Sequence, residues 1–151
     1  MKKRDILENP AKEVYLAIGS NLGNKIFNIQ ASKLELEKYK IKILKSSSNY
    51  ISESWPDPSK PNYINIVVKI ETNLSPTKLL QVCNLIEIKL GRVRSLLNAP
   101  RTCDIDIIDY DKKIFINNNQ KLILPHPRLN KRNFVLIPLF EIERSWKHPK
   151  S

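Results

Sequence analysis

The sequence predicts an α+β domain: an antiparallel sheet with helices packed on one face. Three observations predict it. Short runs alternating with period two are separated by longer segments whose apolar residues recur every three or four positions. The clearest helical segment opens and closes on residues that cap helices. The order along the chain reads β-α-β-β-α-β with further strands after it, and strands joined in this order pair antiparallel beneath shared helices.

Residues 1–12 are polar and contain Pro10, and read as a loose tail ahead of one domain over residues 13–151. Val14-Tyr-Leu-Ala-Ile18 is a buried strand leaving through the turn Gly19-Ser-Asn-Leu-Gly23. A helix follows from about Asn24 to Tyr39, with Ile26, Ile29, Leu34 and Leu36 among its apolar positions. Its periodicity is imperfect. Ile41 to Glu53 alternates as a strand does, and Ser54 to Pro61, with three prolines, is an irregular surface loop. Tyr63 to Glu71 is the next strand.

Ser75-Pro76 then starts a helix with Ser at the N-cap and Pro at the first helical position. Leu79, Val82, Cys83, Ile86 and Leu90 form one apolar stripe, and Gly91 ends the helix. A loop to Pro100 leads to the strand Cys103–Tyr110. Asp111-Lys-Lys113 turns the chain into Ile114-Phe-Ile116, a hairpin partner for that strand, and Asn117-Asn-Asn119 marks another turn. Leu122-Ile-Leu124, a loop with His126, a short turn near Leu129–Arg132 and the apolar run Phe134–Phe140 complete the chain.

Composition narrows the function classes. At 151 residues the chain buries roughly two-thirds of its unfolded surface in one core. No apolar run approaches the ~20 residues of a membrane span, so a cytoplasmic protein is expected. Cys83 on a helical stripe and Cys103 in a strand read as reduced core residues. The net charge of +11 raises nucleic-acid binding as a second class. Lysine, however, supplies 19 of the 26 basic residues and is scattered, while five of the seven arginines lie within residues 92–132. Scattered lysine is a solvated surface; clustered arginine points to bound anions. The aromatic block of an RNA-binding sheet is absent, so no nucleic-acid partner is expected.

Arg101-Thr-Cys-Asp104-Ile-Asp106 is the stretch richest in chemistry. Side chains at i and i+2 of a strand leave the same face, their Cα atoms roughly 6.5–7 Å apart. Alternation alone admits an ordinary solvated face as readily as a pair of carboxylates holding hard cations. The basic company decides for the second: Arg92, Arg94 and Arg101 precede the pair, and His126, Arg128 and Arg132 follow it. Such a set suits a polyphosphate held with metal ions. His126, between Pro125 and Pro127, lies in a rigid loop. Titrating near neutrality, it would give activity an acid limb. Asn84 and Glu87 share a helix edge that spacing alone reads as solvated. Tyr63 and Asn65 share a strand face that reads as core packing with one satisfied amide.

Together these pieces resemble a known family. Gly19-Ser-Asn-Leu-Gly23, Tyr63-x-Asn65, Ile86-Glu87-x-x-Leu-Gly91-Arg92-x-Arg94, Pro100-Arg101-x-x-Asp104-x-Asp106 and Pro125-His126-Pro-Arg128-x-x-x-Arg132-x-Phe134-Val-Leu-x-Pro138-Leu stand in the order and spacing of the 6-hydroxymethyl-7,8-dihydropterin pyrophosphokinases of folate biosynthesis. The likeness covers about residues 13–143. It implies a ferredoxin-like sandwich that transfers the diphosphoryl group of ATP to the pterin, releasing AMP and working as a monomer on these two small molecules.

The resemblance also implies site residues. Asp104 and Asp106 would hold two Mg²⁺ ions, and with Arg92 and Arg101 they form the catalytic set. Asn84, Glu87, Arg92, Arg94, Arg101, Ile107, His126 and Arg132 would meet ATP. Ser52, Glu53, Trp55, Tyr63, Asn65 and Phe134 would meet the pterin, with Tyr63 and Phe134 sandwiching its ring and Asn65 bonding its edge. No protein general base is implied. Many members carry an aromatic residue before the Ala-Pro-Arg step, where this chain has Asn98, and the loop from Arg94 to Arg101, with Leu97, is short. Trp55 is the candidate to replace that aromatic.

Overall fold

Strand β1 (Lys12–Ser20) runs through the sheet, bonded antiparallel to β4 (Tyr63–Thr72) on one side and to β5 (Asp104–Tyr110) on the other. β2 (Lys42–Ser46) pairs with the outer edge of β4, which gives the order β2-β4-β1-β5. Helix α1 (Lys25–Lys38) links β1 to β2, and α2 (Pro76–Lys89) links β4 to β5. This is the ferredoxin-like arrangement that the sequence implied. The computed structural model describes residues 10–93 and 99–150.

Local chemistry sets the element ends. Asn24 caps α1 by accepting from Phe27 N at 3.1 Å, and Ser75 caps α2 by accepting from Lys78 N. Gly91 leaves α2 with φ +90°, a conformation a side chain would strain. The segment Ile41–Glu53 is two strands rather than one: β2 and β3 (Tyr50–Ser52) lie in turn along β4. Between them Ser47 donates its N–H to Val67 O and accepts from Val67 N through its Oγ, both at 2.9 Å. The hydroxyl stands in for a main-chain acceptor, so the edge breaks without orphaning a buried donor.

The two faces of the sheet carry separate cores. Leu16, Ile18, Ile66, Val68 and Ile105 meet Ile29 and Leu36 of α1 and Leu79, Cys83 and Ile86 of α2. Both cysteines are free and buried, as expected. Ile26 and Leu34, expected on the apolar side of α1, are exposed; the packed stripe runs through Ile29, Ser32 and Leu36. On the opposite face Tyr15, Val67 and Ile108 pack against Val135 and Leu139, with Trp146 closing the cluster. Those last residues belong to α3 (Asn133–Ile142) and the chain after it. Helices therefore cover both faces, which corrects the expectation of one.

The hairpin expected from Asp111–Lys113 does not form. β6 (Phe115–Asn117) pairs with β7 (Leu122–Leu124) instead. The outer edge of β5 is already engaged: Ile105 N donates to the Glu87 carboxylate at 2.7 Å, and Ile108 O accepts from His126 N at 2.9 Å. Among the described residues no helix is long and apolar enough to cross a membrane.

Candidate active site

The strand register explains where the polar side chains gather. Residues directly opposite in antiparallel strands share a face. Asp104 lies opposite Gly19, which lies opposite Asn65; Asp106 lies opposite Ala17, which lies opposite Val67. This row sits on the face that α3 covers through Val67. Glycine and alanine on β1 leave a trough between the carboxylates of β5 and the Tyr63–Asn65 end of β4.

Gly19 belongs to the strand and not to the turn. A Cβ there would lie 3.0 Å from Asn65 Oδ1 and 3.3 Å from Tyr63 Cδ1, so the residue is needed for space. Gly23, with φ +74°, is the turn glycine.

On the β5 side, acidic and basic groups alternate. Arg92 Nη1 lies 3.0 Å from Asp104 Oδ1 and 2.8 Å from Glu87 Oε2. Arg101 Nη1 approaches Asp104 Oδ2 at 3.3 Å, and Arg132 Nη1 approaches Asp106 Oδ2 at 3.5 Å. Loss of hydration, with the neighbouring Asp104 charge adding to it, pushes the Asp106 carboxyl up to about 7. Two carboxylates so placed call for a cation. Among the described residues no group of three or more His, Cys, Asp or Glu side chains is placed to hold one. Asp104 and Asp106, two residues apart on one strand face, are the carboxylates that could hold a hard cation such as Mg²⁺.

Other candidates fall in less expected places. Glu87 is 2% exposed, bonded to Arg92 and to Ile105 N, and is no solvated helix edge. It orients Arg92. Asn84 is half-buried on the same helix. The side chain of Ile107 is buried in the core on the α1–α2 face, turned from the trough. His126 is half-buried, and burial together with Arg132 and Arg128 brings it down to about 4. Near neutrality it is uncharged, contrary to expectation. Arg94, Leu97 and Asn98 lie outside the described residues.

On the β4 side, Tyr63 is half-buried, and burial raises its phenol above its ordinary range. Asn65 is buried and donates to Ser52 Oγ at 2.7 Å, which fixes the orientation of its amide. Phe134 lies in the first turn of α3, 38% exposed, with the Arg132 guanidinium 5.5 Å from its ring centroid. Glu53 is exposed, and Trp55 is 74% exposed. Sequence reasoning missed Asn21, which is buried between the Ser54–Pro61 loop and Arg101. An Asn in a turn signals side-chain bonding to backbone, but its partners are too distant in sequence to be read from spacing.

This fold interleaves carboxylates and guanidinium groups at one end of its sheet, a set of side chains suited to polyphosphate anions. The chain belongs to the 7,8-dihydro-6-hydroxymethylpterin-pyrophosphokinase family, whose model matches residues 15–144. It is 38% identical over 138 residues to the 2-amino-4-hydroxy-6-hydroxymethyldihydropteridine pyrophosphokinase of Haemophilus influenzae, covering 91% of this chain and 85% of that one. It is 40% identical to the folic acid synthesis protein fol1 of Pneumocystis carinii over 99% of this chain, but spans only 20% of that protein. A crystal structure of an HPPK-DHPS in complex with substrates shares the fold, with a TM-score of 0.70 at 16% identity over 94% of this chain and 42% of that one.

Proposed function

We propose that this chain transfers the β,γ-diphosphoryl group of ATP to the hydroxymethyl oxygen of 6-hydroxymethyl-7,8-dihydropterin, a step of folate biosynthesis. A bond forms between that oxygen and the β-phosphorus. The bond from the β-phosphorus to the α,β-bridging oxygen breaks, AMP leaves, and the hydroxyl proton passes to solvent. One observation carries the reading beyond family membership: Asp104 faces Asn65 directly across Gly19, with Asp106 and Tyr63 two residues along their strands on the same face.

In this reading Asp104 and Asp106 would hold two Mg²⁺ ions, which would supply neutralisation of phosphate charge. Arg92, Arg101 and Arg132 exchange carboxylate partners for phosphate oxygens, which their planar donors suit. Glu87 acts through Arg92. Neutral His126 donates or accepts one hydrogen bond at the nucleotide. The pterin ring lies between Tyr63 and Phe134 with its polar edge at Asn65, and Ser52 holds that amide. Trp55, on an exposed loop, supplies apolar cover.

The test is direct. The purified chain is incubated with ATP, Mg²⁺ and the pterin, and AMP is followed against pterin-free and Asp106→Ala controls. Pterin-dependent AMP that disappears with the Asp change is expected. ADP in its place would make the chain an ordinary kinase and overturn the diphosphoryl reading.

A further inference from the structure

Asn21, the third residue of the Gly19–Gly23 segment, joins two segments that lie far from it and from each other in sequence. It is 2% exposed. Its backbone N–H donates to Arg101 O at 2.9 Å, and its Oδ1 accepts from Arg101 N at 2.7 Å. Its Nδ2 donates to Ser54 Oγ at 3.0 Å and to Pro61 O at 3.2 Å. Ser54 Oγ in turn donates to Pro61 O, which ties together the two ends of the Trp55-bearing loop. The amide has one permitted orientation. Flipped, it would set its NH₂ against Arg101 N–H and its oxygen against the Pro61 carbonyl. Beyond Arg101 N lies the guanidinium that meets Asp104 at 3.3 Å.

A turn needs none of this. An exposed Asx side chain bonding its own loop would suffice to close residues 19–23. Asn21 instead spends both ends of its amide on segments 33 and 80 residues away. A buried amide held at both ends transmits displacement, because any shift of one partner strains the bond to the other.

We propose that Asn21 is a positioning residue that couples the Ser54–Pro61 loop on the pterin side to Arg101 on the phosphate side. Seating the loop sets the main chain of Arg101, and through it the approach of its guanidinium to Asp104 and the transferring group. The proposal rests on the pyrophosphokinase reading for its kinetic consequence, but its structural consequence can be measured without turnover.

The experiment compares the parent chain with Ser54→Ala and Asn21→Ala. Ser54 touches neither Arg101 nor Asp104, yet Ser54→Ala is expected to weaken hydrogen-exchange protection of the Arg101 amide several-fold. The same variant is expected to raise the pterin KM by about tenfold, the scale of one lost buried hydrogen bond, with the ATP KM within about twofold of the parent. Asn21→Ala is expected to raise the pterin KM and lower kcat together. Loss of stability alone would lower kcat through the active fraction and leave both KM values in place; that pattern overturns the proposal. So does an Arg101 amide that exchanges in Ser54→Ala as it does in the parent. A parent chain that makes no pterin-dependent AMP overturns the pyrophosphokinase reading, while the exchange measurement still decides the role of Asn21.

Discussion

The carboxylate of Glu87 lies 2.8 Å from Arg92 Nη1 while also accepting from Ile105 N, the residue between the two aspartates. One buried acid thus fixes a cation and the strand carrying its neighbouring anions. Glu87→Ala leaves the Ile105 amide without its acceptor and Arg92 with Asp104 as its remaining carboxylate, a loss on the order of 1–3 kcal/mol. Glu87→Gln keeps an acceptor for Ile105 N and loses only the charge. Denaturant titrations should show a large loss for Ala and a smaller one for Gln. The ATP KM should rise in Gln even where the protein is fully folded.

Asp104→Ala and Asp106→Ala should each reduce turnover by several orders of magnitude while leaving a cooperative melt. The stability sign differs from the usual one for a carboxylate. Asp106 has a folded pKa raised to about 7, so ionising it costs the native state as pH climbs above its unfolded value. At pH 8 without Mg²⁺, Asp106→Asn should therefore melt no lower than the parent. A clear drop would mean that the Arg132 contact outweighs the crowding.

Gly19→Ala tests the trough directly. The added methyl meets Asn65 Oδ1 at 3.0 Å and Tyr63 Cδ1 at 3.3 Å, so one of the two must shift. The expected outcome is a pterin affinity weaker by about tenfold or more, on the overpacking scale of 1–3 kcal/mol, with nucleotide affinity unchanged. Equal losses for both ligands would place the effect on the fold as a whole.

His126 makes a prediction about acid. Its folded pKa near 4 lies below the ordinary 6.5. The stability it permits is intact above pH 6.5. As pH falls from 6.5 toward 4 the unfolded chain takes up a proton that the folded chain refuses, and stability declines. His126→Gln should flatten that part of the stability profile. Between about pH 5.5 and 8 it should leave the slope of the activity profile as it is, since the parent imidazole is neutral over most of that range.

Much of the fold was readable because local and global signals agreed. Ser75-Pro76 and Gly91 bracket α2 as their chemistry requires. The alternation around Asp104 and Asp106 placed both on one face, where register and ion pairs put them. The run Phe134–Phe140 defeated the same method. It is apolar nearly all round, with Pro138 inside it, so neither period two nor period 3.6 stands out. Glu87 looked solvated because a carboxylate at a helix edge usually is; the guanidinium that buries it comes from beyond the helix end. Ser47 and Asn21 were silent for a related reason. Their hydrogen bonds reach across 20 to 80 residues, and spacing along the chain carries no trace of them.

Lys12 begins β1 opposite Thr72, seven strand steps and so about 23 Å from Gly19. Trp146 is pinned to Asp109, and Lys112 to the carbonyl of Lys147, at the corresponding remote end of β5. Lys12, Trp146 and Lys147 thus gather at the end of the sheet away from Gly19 and Asp104. A bulky label attached at Lys147 is therefore expected to leave the carboxylates and the trough undisturbed.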